Sequence, residues 1–311
     1  PDKKKHTKEI CKDYNNIKLI NHNFLVIRFL LFFLYFLKYR NKNLISLISP
    51  YGHSSFFYFI ILNLFNSINI SLEWGPIDLF NKKDIIERIF STYILKKSNF
   101  VWFKEHYMKR KLQPLNKNLF FVPNVTSTKF PILKFYEKKI DFLWFNNFEN
   151  RFPHLLIEAL KITKFKKKIN CIMIGDKNNK FKKYEFNNDL YSLQILNFSD
   201  DRSYIYKSRY FIFLANRIFG NNSLLESMGS GTVPIISKVS DTGDIVNENL
   251  NGFVVENDIF KISSLLEKIH LIDEFNWNKL SNECINKITR EYNVDNWDTN
   301  ADKLFNKCLE I

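Results

Sequence analysis

Residues 211–237 read FIFLANRIFGNNSLLESMGSGTVPIIS, and this stretch decides the fold. Residues 211–215 are a short apolar run bounded by polar residues, the pattern of a buried strand. Residues 216–222 form a loop that contains Gly220. Ser223-Leu-Leu-Glu226 opens a short helix closed by Gly229 and Gly231, and residues 233–237 read as a second strand. Strand, loop, helix and strand within 27 residues make one βαβ unit. In such a unit the open N–H groups of the helix start face the crevice at the carboxyl ends of the strands, where anions bind. The spacing Ser223-x-x-Glu226 is also that of a capping box, in which Glu226 bonds back to the Ser223 N–H.

At 311 residues, 45% of them hydrophobic, the chain is long enough for two domains with separate cores. The four cysteines (Cys11, Cys171, Cys284, Cys308) form no CxxC pair and have no histidine at metal spacing. No zinc site is expected, and a reducing cytosol is the matching compartment. Residues 1–130 hold 21 Lys+Arg against 8 Asp+Glu, whereas the remainder holds 25 against 24. That imbalance reads either as a solvated basic surface or as a face for anionic lipid headgroups or a phosphate-linked acceptor. No nucleic-acid motif accompanies it, so nucleic acid is not an expected partner. The chain starts at Pro1 without a methionine, which leaves a fragment and a processed product as the two readings.

A basic terminus with Lys3–Lys5 and Lys8 comes first, and residues 17–20 read as a strand. Residues 24–37 are nearly all apolar, but 14 residues fall short of the ~20 a membrane-crossing helix needs. A buried or membrane-surface helix is expected there. Strands are expected at 44–49, 68–72 and 99–103, with helices at 54–66 and 82–97. Residues 131–139 are a basic connector, and the hinge is placed there. After it come strands at 140–145, 170–175 and 193–197 and helices at 153–163 and 201–208. Helices at 259–270, 277–291 and 297–309 end the chain.

The run FGNNSLLESMGSGTVPIIS resembles the nucleotide-sugar signature of the GT-B glycosyltransferases often called family 4, in which E-G-F-G-x-x-x-x-E-A-M-A-x-G-x-P-V-I precedes G-G-x-x-E-I-V and N-G-x-L-V. Here the later phrases follow in order as Asp241-Thr-Gly-Asp-Ile-Val246 and Asn251-Gly-Phe-Val-Val255. The resemblance implies an α/β GT-B fold: two Rossmann-like domains facing a cleft, with the first domain's opening strand in question. The expected boundaries are 1–134 for the acceptor-side domain and 135–311 for the nucleotide-sugar domain.

By the same resemblance Gly220, Asn221, Asn222 and Ser223 bring backbone to the donor diphosphate. Arg151 stands at the lysine of the family's G-R-L-x-x-x-K-G loop, and Asn146 at its arginine, so one cation of the diphosphate clamp is kept. Glu226 matches the second Glu of E-x7-E and would accept from the ribose hydroxyls. The first Glu is replaced by Ile218, or by Arg217 allowing for an extra Asn, which leaves Asn216 as a neutral substitute near the hexose. In Glu73-Trp-Gly-Pro-Ile77, Trp74 occupies the usual histidine position. Trp74 and His53 are the candidate sugar or acceptor contacts. Each assignment has a plainer alternative: Arg151 at a helix start, Trp74 in a core, His53 as an ordinary loop residue.

No catalytic residue is assigned, and neither a cofactor nor a metal is expected. The implied activity is transfer of a hexose from a nucleotide-diphosphate sugar to a glycan or lipid-linked acceptor, retaining and metal-independent. Its setting would be surface polysaccharide or glycoconjugate synthesis in the cytoplasm, at the cytoplasmic face of an anionic membrane. The rivals are a GT-B subunit without activity that binds nucleotide or a partner chain, and a sugar-nucleotide 2-epimerase.

Overall fold

The computed structural model describes residues 44–73, 85–126, 129–149, 151–218, 221–239 and 242–311, with single positions 30, 32–34 and 37. The strand expected at 17–20, the phrase from Trp74 to Ile77, Gly220 and most of the apolar stretch 24–37 lie outside the described residues. Two compact units result, residues 1–102, 114–119 and 308–311 in one, and residues 103–113 and 120–307 in the other.

In the first unit β1 (Ile45–Ile48), α1 (His53–Leu64), β2 (Ile68–Glu73) and α2 (Ile85–Lys97) alternate, followed by β3 (Phe100–Phe103). α3 (His106–Leu112) and β4 (Leu119–Phe121) come next in the chain, and the sheet order is β1-β2-β3-β4. β1 and β2 run parallel with Ile45 opposite Ile68. Ile48, Phe59, Leu62 and Ile94 form the core beneath α1 and α2. Phe56 stacks on Phe90 with ring centroids 4.0 Å apart, which ties the two helices together.

The second unit carries β5 (Ile140–Phe145), α4 (Pro153–Ile162), β6 (Ile169–Ile174), β7 (Phe186–Asn187) and β8 (Tyr191–Leu196). α5 (Ser203–Tyr206), β9 (Ser208–Phe213), α6 (Asn222–Gly229) and β10 (Val233–Ser237) follow. α7 (Thr242–Ile245), β11 (Phe253–Val255), α8 (Ile259–Ile269), α9 (Glu274–Glu291) and α10 (Val294–Leu309) complete the chain. The sheet order is β11-β10-β9-β5-β6-β8-β7. The β11–β10, β10–β9, β9–β5, β5–β6 and β6–β8 pairs are parallel, and β7 closes the edge antiparallel to β8.

Central strands of such a sheet are covered on both faces, so they read as unbroken apolar runs. β5 shows the consequence of the two-residue pleat. Phe142 and Trp144 enter a core with α4 and α8, and Leu143 and Phe145 enter another with α6 and α9. Helices on both faces of a parallel sheet make the doubly wound layer structure.

The structure corrects several expected bounds. β9 begins at Ser208, three residues before the apolar run, so the helix expected at 201–208 contracts to Ser203–Tyr206. The helix α6 begins at Asn222 and not at Ser223. α3 had no counterpart in the pattern. Its Tyr107 N–H is held by the Asp244 carboxylate at 2.8 Å, a contact across 137 positions.

Candidate functional site

Three segments meet at the carboxyl ends of β5, β6 and β9. The loop after β5 is seated first. The Asn146 N–H donates to the Ile174 carbonyl at 3.1 Å, and the Asn146 carbonyl accepts from Trp144 Nε1 at 2.9 Å. Gly175, at φ +133°, lies so close that a Cβ there would stand 2.0 Å from the Asn146 carbonyl oxygen. Only glycine gives the loop and the β6 end room to meet. At its far end the loop is tied to β9: the Phe152 N–H donates to the Leu214 carbonyl at 3.1 Å, and the Arg151 guanidinium sits 4.9 Å from the Phe213 ring centroid. Arg151 is half-buried, and that burial pulls its pKa below the ordinary arginine value.

The N-terminus of α6 is the second segment. Asn221 is its cap: Oδ1 accepts from the Leu224 N–H at 3.2 Å, and Nδ2 donates to Asn146 Oδ1 at 3.3 Å. The cap therefore locks the helix start to the β5 loop. Leu225 N–H is taken by the Asn221 carbonyl, whereas the first-turn N–H groups of Asn222 and Ser223 keep the open orientation of a helix start. An open helix start tied to a loop that carries an arginine suits a diphosphate.

Glu226, one turn into α6, makes no capping box. Its Oε2 lies 3.1 Å from Arg202 Nε in an ion pair whose geometry falls short of a hydrogen bond, and that buried oxygen has no hydrogen-bond partner. Arg202 in turn lies 5.1 Å over the Phe145 ring at the end of β5. Burial raises the Glu226 carboxyl above its usual range, and Arg202 opposes the shift. The capping-box alternative fails because Asn221 already supplies the cap.

Asn216 is exposed just past β9. Its position is set by a part-buried network in which the Ala215 N–H donates to Ser237 Oγ (2.8 Å) and Ser237 Oγ donates to Asn257 Oδ1 (2.5 Å). Asn257 Nδ2 then returns to the Ala215 carbonyl (3.3 Å). Ile218 is fully buried, so it offers nothing to a ligand. In the first unit His53 is exposed in the first turn of α1, with its ring edge-on to Phe90. The described part of the site thus unites Arg151, Asn221, Asn222, Ser223 and Glu226 in one unit.

Sequence reasoning missed Arg202 and Asn257. Nothing in Asp201-Arg-Ser marks Arg202 as a ligand-side residue, since its partners Glu226 and Phe145 come from other elements. Among the described residues no three His, Cys, Asp or Glu side chains gather where they could hold a metal ion, and no helix is long and apolar enough to cross a membrane.

Comparison with known proteins agrees with this architecture. No curated protein matches the sequence. Solved structures similar to the whole chain include a glycosyltransferase from Rickettsia africae (13% identity, TM-score 0.72, 97% of this chain and 87% of that one). HepE of Anabaena in complex with UDP is similar at 9% identity (TM-score 0.78, 97% and 89% covered). The lipopolysaccharide outer core galactosyltransferase WaaB is similar at 14% identity (TM-score 0.66, 92% and 82% covered). These likenesses establish two Rossmann-like domains of the GT-B kind. The family model described as glycosyl transferases group 1 matches residues 125–290, more than half of the sequence. The chain belongs to the glycosyl transferases group 1 family.

Proposed function

We propose that this chain moves a hexose from a nucleoside-diphosphate sugar to a glycan or lipid-linked acceptor, with retention of anomeric configuration and without a metal. The observation that carries the reading is the open start of α6, locked by Asn221 to Asn146 in the loop that leads to Arg151. The leaving diphosphate gains negative charge as the glycosidic bond breaks. Asn222 and Ser223 N–H groups, Gly220 and the Arg151 guanidinium are the groups proposed to hold that charge. Glu226 accepts from the ribose hydroxyls, and Arg202 holds its carboxylate. Asn216 is the proposed hexose contact in this unit, and His53 and Trp74 are proposed acceptor- or sugar-side groups.

HepE has been crystallised with UDP, with UDP and glucose, and with UDP-glucose. A uridine donor is therefore the first to try here. The proposed setting is surface polysaccharide or glycoconjugate synthesis, within family 4, at the cytoplasmic face of a membrane. Support for a membrane surface comes from α2, where Ile85, Ile86 and Ile89 are 56–63% exposed on a helix that also bears Lys96 and Lys97.

The test is incubation with UDP-, GDP-, ADP- and dTDP-hexoses, with and without glycan and polyprenyl-linked acceptors. Products are read by NMR of the anomeric proton. An acceptor-dependent product with the donor's configuration is expected. Epimerised donor without acceptor, or tight nucleotide binding with no turnover, would replace this reading with one of its two rivals.

A further inference from the structure

The opposite end of the second sheet holds a cavity that the proposed donor chemistry leaves unused. About 560 Å³ of space opens at the amino ends of β5, β6, β8 and β9, among Lys139, Lys168, Asn170, Asn187, Ser192 and Arg209. Each of these strands is six residues long, which puts the cavity roughly 20 Å from the carboxyl edge where α6 begins. The volume lies in the range of pockets that hold small organic ligands, ~300–1,000 Å³.

Asp141 is the lone carboxylate lining the cavity among the described residues, and both its oxygens are engaged. Oδ1 pairs with Arg209 Nη1 at 2.5 Å, and Oδ2 accepts the Asn170 N–H at 2.9 Å. Asp141 thus neutralises Arg209 and leaves the two exposed lysines without a carboxylate. Among the described residues Lys139 Nζ donates only to the Tyr136 carbonyl, at 3.1 Å. Lys168 stands at the end of the run Lys166-Lys-Lys168 and forms no ion pair among the described residues. Asn170 and Ser192 are fixed by bonds to the Lys139 carbonyl and to each other, so the polar wall is held in place.

We infer that this cavity is a second anion site, which takes a phosphoryl-bearing ligand separately from the donor. Lysine side chains that line one concave wall without carboxylate partners among the described residues suit a multiply charged tetrahedral anion. The wall amides of Asn170 and Asn187 supply neutral hydrogen-bond donors at the rim. Burial, and then the Arg209 charge, pull the neighbouring Lys167 below the ordinary lysine value, and Asp141 opposes them.

The test is calorimetric titration of inorganic pyrophosphate into the full chain with UDP present in excess, which keeps the proposed diphosphate site occupied. Wild type, Lys139→Gln/Lys168→Gln and Lys139→Glu/Lys168→Glu are compared, with thermal unfolding as the check on folding. The expected result is one UDP-insensitive site, weakened at least tenfold by the Gln pair and abolished by the Glu pair. Absence of that site in wild type, or its survival in the Glu pair, overturns the proposal. A parallel arm measures co-sedimentation with phosphatidylglycerol vesicles. If the Glu pair lowers vesicle binding while pyrophosphate does not bind wild type, the cavity is a lipid-facing surface and the inference fails. Arg151→Ala serves as a control: it should leave the UDP-insensitive site intact, so failure of the donor reading and failure of this one are told apart.

Discussion

Glu226 and Arg202 show how much of a site can rest on one pair of side chains. Glu226 was legible as a candidate because two readings converged on it, a ribose acceptor and a capping-box member. The structure removes the second, since Asn221 caps α6. Glu226→Gln should therefore leave thermal stability near the parent value. It should weaken nucleoside-diphosphate binding, because an amide donor replaces the charged acceptor proposed for the ribose. Parental affinity in the Gln variant would overturn the ribose assignment. Arg202 could not be read from the sequence, because its role exists only once β5 and α6 are side by side. Burial pushes the Glu226 carboxyl up and Arg202 holds it down. In Arg202→Ala the carboxyl should thus protonate at higher pH than in wild type. Nucleotide affinity should then fall as pH drops from neutral to mildly acidic, while wild type still binds. Superimposable pH profiles for the two proteins would contradict this.

At the scale of elements, legibility followed burial. β5 and β10 were readable to the residue because both faces are covered and, Asp141 apart, every position is apolar or small. β9 was not, since it begins with Ser208 and Arg209. Ser208 Oγ turns back to the Tyr204 carbonyl, and Arg209 is matched by Asp141, so polar residues are accommodated inside a strand. α3 escaped notice because it spans 7 residues, three of them Lys or Arg, and takes a cap from Asp244 far along the chain. The Asn221 cap gives a test that separates stability from binding. Asn221→Ala should cost about 0.5–2 kcal/mol, whereas Asn221→Asp keeps the cap and should hold stability. The added charge beside the diphosphate should nevertheless weaken nucleotide binding in the Asp variant. Equal affinity in Asn221→Asp and wild type would place the phosphates elsewhere. Gly175→Ala should lower stability by about 1–3 kcal/mol through overpacking against Asn146, with strain from its positive φ added to that. Denaturant melts measure it.

The chain as a whole was legible as two α/β halves, because the ordered phrases from residue 216 to 255 specify one kind of sheet edge. What stayed hidden were contacts that no local pattern encodes. Lys138 is the clearest of these, a fully buried lysine whose Nζ donates to the Tyr206 carbonyl and to Thr232 Oγ1, both at 3.0 Å. Burial lowers its pKa from the ordinary 10.5 to about 7. A base with a depressed folded-state pKa contributes stability that is present above the unfolded value and lost as pH falls toward the folded one. Wild type should therefore gain on Lys138→Met by more than about 1 kcal/mol between pH 7 and pH 9. A pH-independent difference between the two melts would show that Lys138 stays charged throughout.

The central claim is that a nucleoside diphosphate sits between Arg151 and the start of α6. Its most direct measurement is calorimetric titration of wild type and Arg151→Ala with UDP, GDP, ADP and dTDP, followed through the best binder. Loss of a charged hydrogen-bonding partner should weaken that binder by about 1.5–3 kcal/mol, roughly 10- to 150-fold. Unchanged affinity in Arg151→Ala would contradict the placement of the diphosphate.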